Sequence, residues 1–314
     1  MENDRLRVEQ ALLGAVRTPD AYLTEIASHL ISAGGKRLRP VFTIVASQIA
    51  TDGPASEEAI AGGISCELVH LGSLYHDDVM DESTTRRGVD TVNAKWGNLQ
   101  AILAGDFLLA KASEIAASLG TEVAALLART IGHLCEGQIE ELRHTYNVAR
   151  PIDSYLNSID GKTASLYSTA ARIGGIVAGH DRATIEALTT YGTAYGMVFQ
   201  IVDDVLDLTA TDAQLGKPAG HDMEEGVYTL PVLHTLAAGG PAASELGSIL
   251  GKPLNEVERE KVLHIVRSNG GIATAIEKAR AYVADAERAC DALPQSATTD
   301  AMRKATAALL ATVA

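Results

Sequence analysis

Apolar residues recur at three- and four-residue spacing along most of the chain, the period of helices that bury one face. The pattern predicts helices over residues 3–17 and 20–33, broken at Thr18-Pro19, the second closed by Gly34-Gly35 as a C-cap. It continues over 41–51 and over 56–76, an Ala- and Gly-rich stretch. Two long helices follow over 93–117 and 121–146, the latter starting after Gly120. Pro151 opens a helix over 151–177, and another covers 182–208. Residues 211–226, rich in Gly, Asp and Lys, predict the longest loop. Shorter helices are expected over 228–238, 255–267, 270–291 and 297–312. No stretch reads convincingly as sheet and no linker interrupts the series. The expectation is an all-α fold, one domain over residues 1–314.

Composition narrows this picture. The 314 residues are 46% hydrophobic, enough for a large core, and only 4% aromatic, with much Ala and Leu, which favours helices over sheet. A net charge of −14 leaves no broad basic surface and argues against nucleic acid as a partner. An anionic substrate would be repelled overall, so its site must be locally basic or bridged by metal. Cys66, Cys135 and Cys290 show no metal-ligand spacing, and their odd count fits a reducing cytoplasm. The first residues, MENDRLR, are too charged for a signal peptide. The longest apolar run, Val41 to Ala50, is too short to span a bilayer.

The chemistry concentrates in His70 to Gly88, HLGSLYHDDVMDESTTRRG. Asp77 and Asp81 are four residues apart and project from one helix face, about 6 Å apart along the axis. Asp78 sits beside Asp77. Like charges at that spacing repel, so something must compensate them, and a hard divalent cation with oxygen ligands would do so. Arg86 and Arg87 follow at once, suited to phosphate oxygens. A second trio repeats the spacing in FQIVDDVLD, with Asp203, Asp204 and Asp207. If the two helices face each other, they make an oxygen-rich cleft suited to magnesium, which takes a few carboxylates together with phosphates and water.

Other readings compete. Lys36, Arg37 and Arg39 in KRLRP could complement the dipole of the preceding helix end rather than bind an anion. Glu67-x-x-His70 and Glu141-x-x-His144 are both ExxH, the spacing of a di-iron bundle, although that leaves both trios and the basic motifs unexplained. His70 precedes Asp77 by about two turns and could instead donate to a phosphate. No GxSxG, no GxxxxGK[ST] and no GxGxxG after a strand is present, so nucleophilic serine, Walker-type and dinucleotide chemistry find no support.

Taken together, GGKRLRP at 34–40, HDDVMDESTTRRG at 76–88, GKT at 161–163, FQIVDDVLD at 199–207 and GKPAGHD at 216–222 resemble the all-trans polyprenyl diphosphate synthases, in the family's order. The resemblance implies an isoprenoid synthase helical bundle around a deep central cavity, usually a homodimer. It implies magnesium, three ions per site, held by Asp77 and Asp81 with Asp78 supporting, and by Asp203 with Asp204 and Asp207 assisting. Lys36, Arg39, His70 and Arg87 would hold isopentenyl diphosphate. Arg86, Lys162 and Lys217 would hold an allylic diphosphate, with Thr163 and Gln200 near its reacting C1–O bond. No membrane span is implied, only peripheral membrane contact for product release.

The chain departs from the family at EGVYTLP, where Val227 stands in place of the usual lysine. Short-chain members carry bulky aromatics four and five residues before the first aspartate. Here Ser73 and Gly72 stand there, which implies an open tunnel and a long product, with Ile131, Leu134 and Cys135 as candidates for its floor. A class I terpene cyclase would need no isopentenyl site, and its second motif usually carries Asn or Asp, Ser or Thr, and Glu. A non-catalytic subunit of a heteromeric synthase would be expected to lose aspartates, and none is lost.

Overall fold

The aspartates of the first trio close the longest helix of the N-terminal half, and the surrounding helices set where those carboxylates point. The computed structural model describes residues 2–51, 53–210 and 219–314. Helices α1 (Glu2–Ala15), α2 (Ala21–Ser32), α3 (Leu38–Ser47) and α4 (Glu57–Met80) open the chain. They are followed by α5 (Val92–Trp96), α6 (Asn98–Ser118) and α7 (Thr121–Arg143). Next come α8 (Ile152–Ile159), a π-helical turn Asp160–Ala164, α9 (Ser165–Val177) and α10 (Arg182–Thr209). Helices His221–Glu224, Leu230–Ala237, Gly240–Ile249, Glu256–Ser268, Gly271–Asp291 and Ala297–Leu310 complete it. The helical content matches the all-α expectation.

The details correct it in four places. Helix α4 runs on through Asp77 and Asp78 to Met80, with Asp81 at its C-cap, rather than stopping at residue 76. A two-stranded antiparallel hairpin, Thr85–Arg86 against Val89–Asp90, occupies a stretch expected to lack sheet. The helix expected over 151–177 is interrupted by the π-turn at the GKT motif. Helix Gly240–Ile249 was hidden by Gly239-Gly240-Pro241, which reads as a breaker but places proline in the first turn, where its missing N–H costs nothing.

The described residues form two compact units. The first contains Met1–Ile131, Leu166–Gly192 and Ala292–Thr298. Its core is built on α4, which packs against α3 and α6 and buries Leu68, Leu71 and Tyr75 with Ala101, Ala104 and Leu108. Gly72 is where α4 and α6 come closest: a Cβ there would lie 3.0 Å from the Gly105 carbonyl oxygen. The second unit contains Gly132–Ser165, Thr193–Asp291 and Thr299–Ala314. Its core joins Tyr155 and Ile159 of α8, Val198, Ile201, Val202 and Val205 of α10, and apolar residues of the C-terminal helices. Gly137 of α7 faces the π-turn, and a Cβ there would lie 2.7 Å from both the Ser158 carbonyl oxygen and the Lys162 amide nitrogen. The glycine of GKT, Gly161, meets Gly137 in the same close approach, so it serves packing.

Candidate active site

In the first unit, the Gly34-Gly35 turn leads into Arg37, which caps α3 with a left-handed φ of 51°. Arg37 is buried. Its Nε and Nη2 donate to the two carboxylate oxygens of Glu9 at 2.8 and 3.0 Å, and Nη1 donates to Glu67 at 3.3 Å. It is a clasp between α1, α3 and α4 rather than a solvated charge. Lys36 is exposed beside it, and the half-buried Arg39 lies with its guanidinium 4.6 Å from the Tyr167 ring centroid. Arg87, also left-handed at φ 55°, donates to the Leu30 and Gly34 carbonyls, which orients it at the end of α2. The four guanidiniums of Arg39, Arg87, Arg86 and Arg37 act on His70. Burial first, then those positive charges, hold its imidazole well below the ordinary histidine pKa. His70 is therefore neutral, with one ring N–H to donate. A basic basin exists in a chain of net charge −14.

The first trio lies at the C-terminal end of α4, whose last turn contains no basic residue. Successive helical residues turn by about 100°, so the three carboxylates separate by role. Asp77 is half-buried and Asp81 is exposed, while Asp78 points inward with no exposed side-chain surface. Asp78 Oδ1 accepts from Arg86 Nε at 2.6 Å. The hairpin brings Arg86 back over the helix end, and Asn93 secures the loop by donating to the Asp78 and Ser83 carbonyls at 3.0 and 2.9 Å. Asp78 is thus engaged with Arg86, and Arg86 keeps only its terminal N–H groups for an anion. Glu67 is bound to Arg37, which removes one arm of the ExxH di-iron reading.

The second trio also lies at the C-terminal end of its helix, α10, again with no basic residue in the last turn. Asp203 is exposed, whereas Asp204 and Asp207 are buried. Asp204 Oδ2 accepts from the Tyr155 hydroxyl at 2.5 Å and Oδ1 from Gln200 Nε2 at 2.8 Å. Gln200 Oε1 accepts from Thr163 Oγ1 at 2.8 Å. Burial, and next the Asp222 charge, push the Asp204 carboxyl well above the usual range, against the two hydrogen bonds. Arg150 sits behind Tyr155, its guanidinium 5.6 Å from the ring centroid, and donates to Ser158 Oγ at 2.6 Å. Lys162 Nζ lies 2.8 Å from Glu141 Oε1, so the second ExxH glutamate is also occupied by a cation. Lys217 lies outside the described residues.

Both trios suit a hard cation. Each stacks carboxylates at the negative end of a helix dipole, where only a positive charge relieves them. Each turns its first aspartate outward and ties its second to a protein donor. The EGVYTLP segment holds its shape without a lysine. Tyr146 donates from its hydroxyl to the Glu224 carbonyl at 3.0 Å and from its N–H to the Gly226 carbonyl at 2.8 Å, and Arg259 pairs with Glu224 at 2.8 Å. Tyr155, Arg150 and Asn93 were not singled out from sequence. A tyrosine one helix before GKT was the available sign, since a buried phenol needs a partner, but nothing local names that partner.

The chain is similar to known proteins over nearly its whole length. The polyprenyl synthetase family model matches residues 20–266. A nonaprenyl diphosphate synthase of Mycobacterium tuberculosis is 40% identical over 289 residues, which cover 92% of this chain and 86% of that protein. The solved heptaprenyl diphosphate synthase of Staphylococcus aureus aligns with a TM-score of 0.92 at 34% identity, over 99% of this chain and 98% of the other. The geranylgeranyl pyrophosphate synthase of Corynebacterium glutamicum, solved with calcium and isoprenyl diphosphate, aligns with a TM-score of 0.88 at 38% identity over 99% and 96% of the two chains. With two aspartate trios, a basic basin around His70 and this similarity, the chain belongs to the polyprenyl synthetase family and is a prenyltransferase.

Proposed function

We propose that the chain condenses isopentenyl diphosphate head-to-tail with an allylic diphosphate, with magnesium, to give a long all-trans polyprenyl diphosphate. The observation that carries this reading is the shared division of labour in the two trios, with outward first aspartates and anchored second ones. Asp77, Asp81 and Asp203 supply carboxylates to magnesium, three ions per site. Asp78, Asp204 and Asp207 support them. Lys36, Arg39, His70 and Arg87 hold isopentenyl diphosphate, and Arg86, Lys162 and Lys217 hold the allylic diphosphate.

Magnesium, when bound, draws negative charge onto the leaving diphosphate. The chain's own groups do the rest. Thr163 gives its hydroxyl hydrogen to Gln200, which leaves its oxygen lone pairs for positive charge developing at the allylic C1. The Gln200 carbonyl is oriented by the bond from its amide to Asp204. The allylic C1–O bond breaks, the isopentenyl double bond attacks C1, and the proton lost from the adduct goes to the departed diphosphate. No side-chain nucleophile is required. Neutral His70 donates a hydrogen bond to diphosphate, and holding both substrates together supplies much of the rate.

The deciding experiment is incubation with labelled isopentenyl diphosphate, each allylic primer in turn and magnesium, followed by chain-length analysis. Products of about thirty carbons or more support the reading; a cyclic hydrocarbon, or no condensation, sinks it. A shorter, geranylgeranyl-length product is the second reading, favoured by the similarity to the Corynebacterium enzyme.

We further propose a homodimer working in the cytoplasm. Leu99, Ile102 and Leu103 lie at helical spacing on α6 and are 74%, 41% and 66% exposed, an apolar face that a second copy would cover. No helix among the described residues is long and apolar enough to cross a membrane.

A further inference from the structure

Tyr155 and Arg150 belong to no motif, yet they sit at the base of the second trio. We propose that Tyr155, backed by Arg150, is a positioning residue for this site: by donating to Asp204 it fixes the carboxylate that orients Gln200 and Thr163. The proposal rests on the reading of function just given.

The geometry is directional. Tyr155 donates to one oxygen of Asp204 and Gln200 to the other, so the carboxylate plane is set by two donors. Gln200 can then offer only its carbonyl to Thr163, and Thr163 must point its hydrogen away from the reacting carbon. Tyr155 lies on α8 before the π-turn and Thr163 within it, and both tie to α10. π-turns are rare and occur mostly at functional sites, and these two ties hold this one to α10.

Arg150 completes the arrangement. It is 5% exposed, places its positive charge behind the Tyr155 ring, and is itself held by Ser158 Oγ and by the Tyr228 carbonyl at 3.4 Å. A buried cation there braces the ring whose hydroxyl meets the Asp204 carboxylate. Tyr228 provides an internal comparison: it is equally buried, but its hydroxyl accepts the Gly251 N–H at 2.6 Å, a bond within the fold.

The test is a manganese titration followed by electron paramagnetic resonance, with geranyl thiodiphosphate present as an unreactive primer. It is run on the unsubstituted chain, Tyr155→Phe, Arg150→Lys, Asp204→Asn and the Tyr155→Phe/Asp204→Asn pair, with Tyr228→Phe as control. Partners that orient metal-binding carboxylates typically contribute about 10–100-fold. Tyr155→Phe is expected to weaken manganese binding and lower kcat by about that factor while leaving the KM for isopentenyl diphosphate unchanged. The pair is expected to be no worse than Asp204→Asn alone, because Tyr155 acts through Asp204. Tyr228→Phe should lower Tm without moving manganese affinity. Unchanged manganese binding in Tyr155→Phe, or losses that multiply in the pair, overturns the proposal. Absence of condensation by the unsubstituted chain overturns the functional reading instead, while the manganese titration still decides the role of Tyr155. An unsubstituted chain that binds no manganese overturns both.

Discussion

Arg86 donates from Nε to Asp78 Oδ1 at 2.6 Å, and the carboxylate it meets has no exposed surface. This pairing separates the first trio into an anchor and two outward carboxylates. Asp78→Ala would leave Arg86 unpaired and open the loop that Asn93 also holds. The expected loss of stability is about 2–3 kcal/mol, since Arg86 is partly exposed. Asp77→Ala is expected to stay within about 0.5 kcal/mol of the unsubstituted chain, because it also relieves charge at the helix end. Its turnover should nevertheless fall by orders of magnitude. Thermal unfolding and labelled-product assays on the two variants check this, and equal stability losses would defeat the division of roles.

His70 makes stability depend on acidity. Its folded pKa lies well below the ordinary 6.5, through burial and the four arginines. The unfolded chain therefore takes up a proton first as pH falls. The stability due to the neutral imidazole is full above about pH 6.5 and is lost below it, at up to about 1.4 kcal/mol per pH unit, until the folded pKa is reached. His70→Gln should flatten the decline in Tm between pH 6.5 and 5.5. An equally steep decline in that variant would show that other groups are responsible.

The trios, the basic motifs and most helices were legible because each depends on neighbours in sequence. Charge at i and i+4, a Gly-Gly cap and a 3.6-residue period are local properties. The roles within each trio were less so. That Asp78 and Asp204 turn inward follows from helical rotation only once the buried face of α4 or α10 is known. The Tyr155 partner lies 49 residues away and the Arg37 partners lie 28 and 30 away, so no spacing rule could name them. The π-turn was invisible for the opposite reason. Gly161 looks like part of a ligand loop, whereas the structure uses it to let α7 approach.

Ser73 and Gly72 were expected to play one part together, and the structure divides them. Gly72 is buried at the contact with α6, where an added Cβ would lie 3.0 Å from a backbone oxygen and 3.3 Å from Leu109. Gly72→Ala should destabilise the fold by about 1–3 kcal/mol through overpacking. Ser73 is half-buried, and its hydroxyl only returns to the His70 carbonyl at 2.9 Å. Ser73→Phe should therefore fold and, as a bulky side chain one turn before Asp77, shorten the product. Chromatography of the labelled products checks this, and an unchanged chain length would remove Ser73 from any tunnel.

The apolar face of α6 gives the last prediction. Leu99 and Leu103 are four residues apart, more than half exposed, and followed on the same helix by Asp106, which marks the polar limit of the patch. Covering such side chains is worth about 1.5–3 kcal/mol each, and a twofold axis counts each of them twice. Introducing charge at both positions, as Leu99→Glu/Leu103→Glu, sets four carboxylates against an apolar contact in the dimer and none in the monomer. In light scattering coupled to size exclusion at micromolar concentration, the unsubstituted chain should show about twice its 32.9 kDa mass and the double variant that mass alone. Circular dichroism should show the same helicity in both. A double variant that keeps the mass of the unsubstituted chain would place any dimer contact on another face.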